Sequence, residues 1–334
     1  MGESGISVYD LAEEFVENTD CSVFLTGKAG TGKTTFLRHI KESTRKQAVV
    51  VAPTGVAAIN AGGTTIHSFF QIPPAPYVPS MSENANFFAK QKVSAVRRKL
   101  FRQLELLIID EISMVRADLL DLIDLILRHY RYRPKEPFGG VQVIFIGDMY
   151  QLAPVCTAED WEMLRHFYRS PYFFHSRVLE ARQPVYIELD HIFRQTNRLF
   201  IDLLNEVRNG HLSPMSVSLL EKRYNPNFSR EEAEGYITLT THNANADRIN
   251  HEALDRLGGK ASEYEAEVKG DFPEKSYPAD SLLQLKRGAK VMFIANDKEN
   301  PRRYFNGKIG TVTDMDEESV TVECDEGGEP ITVG

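Results

Sequence analysis

Eight consecutive residues, Gly27-Lys28-Ala29-Gly30-Thr31-Gly32-Lys33-Thr34, follow the apolar run Val23-Phe24-Leu25 and precede a helix-like stretch, Thr35-Phe36-Leu37-Arg38-His39-Ile40. A strand, a glycine-rich turn and a helix in that order make a cradle for phosphate. Gly27, Gly30 and Gly32 let the backbone aim its N–H groups inward, and the helix start adds the positive end of its dipole. Ala29, Thr31 and Thr35 complete the nucleotide-binding run. Lys33 reaches the β- and γ-phosphates, and the Thr34 hydroxyl is a ligand for Mg²⁺. The pattern points to a bound nucleoside triphosphate.

Two further groups carry matching chemistry. Asp110-Glu111 follows the four aliphatics Leu106-Leu107-Ile108-Ile109. At the rim of a sheet Asp110 can hold Mg²⁺ directly or through water, while Glu111 points elsewhere and can take a proton from attacking water. Adjacent acids also cap helices, but the aliphatic run before this pair favours a strand end. Gln151, in Gly147-Asp148-Met149-Tyr150-Gln151-Leu152, follows another apolar run and is placed to bond the γ-phosphate or the lytic water.

These groups need a scaffold that brings strand ends together. Residues 22–26, Ala48–Ala52, Leu106–Ile109 and Val141–Ile146 read as short buried strands separated by helical segments, the signature of a parallel sheet with helices on both faces. In such α/β sheets ligands bind at the carboxyl ends of the strands, where all these polar signatures fall. A helix is expected over 8–18 and a Pro-rich insertion (Pro73, Pro74, Pro76, Pro79) reads as a protruding loop or wedge, within about 64–86. Further helices are expected near 159–168, over 197–208 and over 243–257, with strands at 185–189 and 237–240. From about residue 281 short strands separated by turn signals suggest a small β-rich unit.

With 334 residues, more than one domain is expected. Composition, at 42% hydrophobic and 26% charged, is that of a soluble globular protein, and no apolar run is long enough to cross a bilayer. Three dispersed cysteines and no basic apolar leader point to an intracellular, reducing setting, cytoplasmic and nucleoid-associated in a bacterium, with no membrane partner. The net charge of −8 is misleading, because eight acids and no base lie from Thr311 onward. The remainder is balanced and contains Lys90, Lys92, Arg97, Arg98, Lys99 and Arg102, then Arg128, Arg131, Arg133 and Lys135. Each cluster is equally a solvated face or part of a positive groove.

The ordered set of segments resembles superfamily 1B DNA helicases, most closely the PIF (petite integration frequency) helicases, relatives of the RecD subunit of bacterial recombination nucleases. The resemblance rests on Gly27–Thr34, Ala52-Pro53-Thr54-Gly55-Val56-Ala57-Ala58, Thr64-Thr65-Ile66-His67-Ser68-Phe69 and Asp110-Glu111-Ile112-Ser113-Met114. It continues through Phe138–Val143, Gly147–Leu152 and Phe193-Arg194-Gln195, to the Asn306-Gly307-x-x-Gly310 turn. It implies tandem RecA-like P-loop domains with a small β-rich, SH3-like insertion. The expected limits are 1–188 for the first domain, 189–280 for part of the second and 281–334 for the insertion. ATP and Mg²⁺ are the implied cofactors. Single-stranded DNA and forked or G-rich structured DNA are the implied partners of a monomer that moves 5′ to 3′ and unwinds duplex. Arg194 resembles the arginine that reaches the γ-phosphate from the second domain. Pro53, Thr54, Gly55, Thr65, His67, Ser68 and Phe69 match the strand-binding motifs, with His67 and Phe69 offering faces to bases, although a Phe-Phe pair is also an ordinary core feature.

Two departures accompany the resemblance. No Gln precedes the phosphate loop between Ile6 and Asp20, which leaves base selectivity open. The Ser-Gln-Gly and Ala-Leu-Ser-Arg segments of the family do not occur, so a fragment of a longer helicase is expected, and with it two rivals to an unwinding motor. One is a DNA-dependent ATPase that remodels protein–DNA complexes; the other is a module that binds nucleotide and single strand with little turnover.

Overall fold

The computed structural model describes residues 7–28, 30–80, 87–89, 91, 93–190, 197–228, 238–267, 279–295, 297, 303–304 and 307–334. Its contacts divide into two units, Met1–Glu221 and Lys222–Gly334.

In the first unit, α1 (Val8–Asn18), β1 (Val23–Gly27), α2 (Lys33–Ser43), β2 (Ala48–Ala52), α3 (Gly55–Asn60), β3 (Thr64–Thr65) and α4 (Ile66–Phe70) come first. They are followed by α5 (Ala95–Gln103), β4 (Leu106–Ile109), α6 (Ala117–Arg131), β5 (Gln142–Ile146), α7 (Ala158–Leu164) and α8 (Arg177–Ala181). β6 (Val185–Leu189), α9 (Arg198–Arg208) and α10 (Pro214–Glu221) complete it. Six parallel strands form one sheet in the order β3-β2-β4-β5-β1-β6; the four apolar runs are β1, β2, β4 and β5, and β3 and β6 add the two edges.

The pleat sorts the strand side chains into two layers. Leu107, Ile109, Val143 and Phe145 pack with Phe101, Leu120, Ile123 and Leu127 of α5 and α6. Leu106, Ile108, Ile144 and Ile146 face Val16 of α1 and Phe36, Leu37 and Ile40 of α2. Since β4 and β5 are buried at every position, neither face tolerates a polar side chain except where it is bonded. Gln142, only 2% exposed, is that exception. Its amide donates to Phe15 O and Cys21 O and accepts from Lys46 Nζ, which also binds Val16 O and Thr19 O, so the amino ends of the strands are tied to α1.

Three expectations change. Thr64–Phe70 does not protrude: β3 pairs with β2, and Ile66, Phe69 and Phe70 enter the core because each offers more apolar area than an exposed loop can leave in water. Pro73 and Pro74 are exposed, but Tyr77 returns to the body, buried, with its N–H on Asp118 Oδ2 at 2.9 Å. The strand expected over 237–240 has residue 237 outside the described residues, and Thr238–Thr240 form no strand; Leu239 is 91% exposed, with no sheet neighbour to cover it.

The second unit holds α11 (Asn243–Arg256), an antiparallel pair β7 (Ser262–Glu265) and β8 (Leu282–Leu285), and strands β9 (Lys290–Met292), β10 (Ile309–Met315), β11 (Val320–Cys324) and β12 (Ile331–Val333). The last four make a small antiparallel sheet, β12-β11-β10-β9, as expected from the turn signals. The Tyr264 hydroxyl donates to Asp316 O at 2.7 Å and joins the hairpin to this sheet.

Candidate nucleotide and nucleic-acid site

β1 ends at Gly27, where φ is +151°, and a Cβ there would lie 2.5 Å from Leu189 O and 2.6 Å from the Thr31 hydroxyl. Only glycine fits so close to β6. Gly32 caps α2 in the left-handed region with no side-chain acceptor. The first-turn N–H groups of α2 are therefore left to an external anion. Lys33 folds back across the loop, its Nζ donating to Gly27 O at 2.6 Å and Lys28 O at 3.1 Å. Burial lowers its pKa; of the charges it feels, Asp148 acts most strongly, then Arg208, Glu111 and Asp110. Thr31 is buried and bonds Lys28 O, Thr34 is half-buried, and Thr35 is exposed on the first turn. Ala29 and Arg194 lie outside the described residues.

Asp110 leaves the end of β4 with its N–H on Val51 O of β2, at 2.9 Å. Burial pushes its carboxyl up to about 6, opposed by the Glu111 N–H donated to its Oδ1 and reinforced by the Glu111 charge. The Lys33 charge offsets this burial only in part, and a hard divalent cation supplies further counter-charge. Glu111 adopts φ +51°, a left-handed backbone that costs a non-glycine residue about 1–3 kcal/mol and turns it away from its neighbour. The residue types predicted for metal and water chemistry thus stand beside Lys33.

Asp148 and Arg208 were not among the site residues read from the sequence. Asp148, 3% exposed, follows β5 and accepts the Tyr150 N–H at 3.0 Å and Arg208 Nη1 at 2.8 Å. Arg208 comes from the last turn of α9 and lies over the Tyr150 ring, 4.5 Å from its centroid. Gln151 is exposed, with its N–H on Asp148 O at 3.0 Å and its side-chain amide 3.5 Å from Asp148 Oδ2. Asp148 therefore organises the loop that carries Gln151. The local signal at Arg208 is a basic residue at a helix C-terminus, which ordinarily means only dipole compensation.

The segments expected to bind a DNA strand sit at the carboxyl ends of β2 and β3, on the same edge. Thr54 Oγ1 accepts the Ala57 N–H and Thr65 Oγ1 the Ser68 N–H, so both threonines cap short helices. Pro53, Thr54, Gly55, Thr65 and His67 are half-exposed and Ser68 is exposed. Burial and the nearby Arg116 lower the pKa of His67, which keeps its ring neutral at pH 7. Phe69 is a correction: at 5% exposure it packs edge-on against Phe70 and Phe101 and presents no stacking face. The cation above it is Arg97, which donates to Ser68 O at 3.3 Å and Phe69 O at 2.7 Å.

Two outcomes follow from these burials. In divalent-free buffer Asp110→Asn is expected to raise stability at pH 7.5 by up to about 3 kcal/mol, since it removes the cost of ionising a carboxyl held near 6. The gain shrinks toward pH 4, where the native carboxyl is protonated; thermal melts across that range check it. Arg208→Ala leaves Asp148 buried and unpaired, a loss of about 3–5 kcal/mol by urea unfolding. The pair Arg208→Met with Asp148→Leu is expected to recover most of it.

The model of the PIF1-like helicase family matches residues 2–217. Human ATP-dependent DNA helicase PIF1 is 35% identical over 306 residues, which cover 89% of this chain and 44% of the human protein. ATP-dependent DNA helicase Pif1 of Bdellovibrio bacteriovorus is 31% identical over 314 residues, 92% of this chain and 67% of that protein. The Bacteroides Pif1 helicase in complex with ADP-AlF3 and ssDNA superposes with a TM-score of 0.83 at 40% identity, over 97% of this chain and 73% of that one. A structure of two coordinating Pif1 helicases at forked dsDNA gives 0.84 at 39% identity, over 99% and 75%. The chain spans less than half the length of the human relative. With a phosphate loop, paired acids and strand-end motifs on one sheet edge, and with these matches, the chain belongs to the PIF1-like helicase family.

Proposed function

We propose that this chain is the motor of an ATP-dependent DNA helicase that moves 5′ to 3′ on single-stranded DNA and unwinds duplex. The observation that carries the proposal is the convergence of Lys33, Asp110, Glu111 and Asp148 at one edge of the sheet that also bears Thr54 and Thr65–Ser68. The Bacteroides relative was captured with ADP-AlF3 and ssDNA, which supports both ligands for this chain. Direction of travel rests on the family resemblance.

In this reading the loop N–H groups and Lys33 hold the triphosphate. Thr34 and Asp110 would hold Mg²⁺, which supplies charge neutralisation at the phosphates when bound. Glu111 takes the proton of the attacking water, and Gln151 orients that water from its tether on Asp148. Arg194 stabilises the charge that develops on the transferred phosphoryl group, which ties hydrolysis to closure of a second domain. Thr54, Thr65, His67 and Ser68 grip the strand through hydroxyls and backbone. The limits 1–188, 189–280 and 281–334 belong to the same proposal, as do forked and G-rich DNA as substrates, a monomeric working unit and a cytoplasmic, nucleoid-associated place in a bacterium. Among the described residues no helix is long and apolar enough to cross a membrane.

Unwinding of a duplex with a 5′ tail and not of one with a 3′ tail is the expected result; stimulated hydrolysis without strand separation would instead support a remodelling ATPase. Lys33→Ala is expected to abolish ATP turnover. Arg194→Ala should lower kcat by about a thousandfold while nucleotide affinity stays near normal. Loss of affinity in place of rate, read by nucleotide titration, would remove Arg194 from the transition state.

A further inference from the structure

The two basic clusters of the sequence separate in the structure. In the second, Arg131 donates to Phe101 O, Arg102 O, Leu104 O and Gly139 O, Arg128 pairs with Asp124, and Arg133 pairs with Glu136. Those three arginines hold the fold. The first cluster is different. Arg98, Lys99 and Arg102 of α5 line a groove of about 440 Å³ together with His129, Tyr130 and Tyr132 at the end of α6. No acid lines it, and among the described residues none of the three cations pairs with a carboxylate. The neighbouring Glu105 is engaged with the Gln47 N–H.

Tyr132 makes this groove more than a solvated face. It occupies the left-handed position after α6, at φ +58°, where glycine is the usual occupant, yet it is 74% exposed. Its ring is fixed from one side: the Arg102 guanidinium lies 5.0 Å from the centroid and donates to the hydroxyl at 2.9 Å, with Nε on Tyr130 O. An exposed aromatic, immobilised in a strained backbone beside two unpaired cations, combines a stacking surface with phosphate-binding charge. The floor is aromatic as well, because His129 stacks on Phe88 at 3.8 Å. Arg97, one residue before Arg98, bonds the backbone of Ser68 and Phe69, so α5 leads from the strand-binding motif into the groove.

We propose that this groove binds a second stretch of single-stranded DNA, the displaced strand of a fork, with phosphates on Arg98 and Lys99 and a base stacked on Tyr132. The inference rests on the helicase reading, since the strand-binding motifs hold the other strand.

The test is binding of the full chain, by fluorescence anisotropy, to a 5′-tailed duplex with or without a thymidine arm on the opposing strand. The arm is expected to tighten binding by wild type. Tyr132→Gly, which relieves the backbone and should leave the melting temperature unchanged or higher, should cancel about five- to a hundredfold of that tightening. Arg98→Ala with Lys99→Ala should lower the slope of log affinity against log salt by about 1.4 on the armed substrate. Both variants should bind the armless substrate like wild type. An arm that adds no affinity, an arm effect that survives both variants, or an equal loss on the armless substrate would overturn the proposal. Failure of wild type to bind any single strand would instead sink the helicase reading.

Discussion

Cross-strand hydrogen bonds at the carboxyl edge of the sheet are the constraint on which the site depends. The Asp110 N–H bonds Val51 O, and the Gly147 N–H bonds Leu25 O. Each anchors the first residue beyond one strand to a neighbouring strand, so the loops that carry acid, phosphate cradle and Gln151 start from fixed points. Gly147 sits tightly packed: a Cβ there would lie 2.9 Å from the Ile112 side chain and 3.1 Å from its backbone nitrogen, so a larger residue would have to push Ile112 aside. The chemistry is therefore positioned by backbone pairing, and the side chains need only short reaches.

Behind that edge the burial of β4 and β5 on both faces removes water from one side of the acids. This is why Asp110 resists ionisation and Lys33 resists protonation. Both groups are costly when alone and are satisfied by ligands of opposite charge. Asp148, buried beside them, is paired with Arg208 at 2.8 Å.

Much of this was legible in the sequence for a physical reason. Short aliphatic runs that end in Gly27, Pro53, Asp110 and Gly147 state both a buried strand and the place where it stops. What stayed hidden depends on distant partners. Arg208 pairs with a residue 60 positions earlier, and nothing in its neighbours reveals that. Phe69 matched a strand-binding motif, but Phe101, far along the chain, claims its ring. The strand expected at 237–240 had the right local composition, but among the described residues Thr238–Thr240 pair with no strand. Within the second basic cluster, only the carbonyls that surround Arg131 reveal that its charge is structural.

The self-bonded lysine has a kinetic corollary. Gly27 O and Lys28 O accept its protons, so the ammonium is not bare in its half-buried cleft. In the proposed motor, a nucleotide phosphate would exchange with those two carbonyls for the lysine. A departing phosphate would return the lysine to the same two acceptors, at 2.6 and 3.1 Å. Such an exchange would favour turnover of the bound nucleotide over its retention.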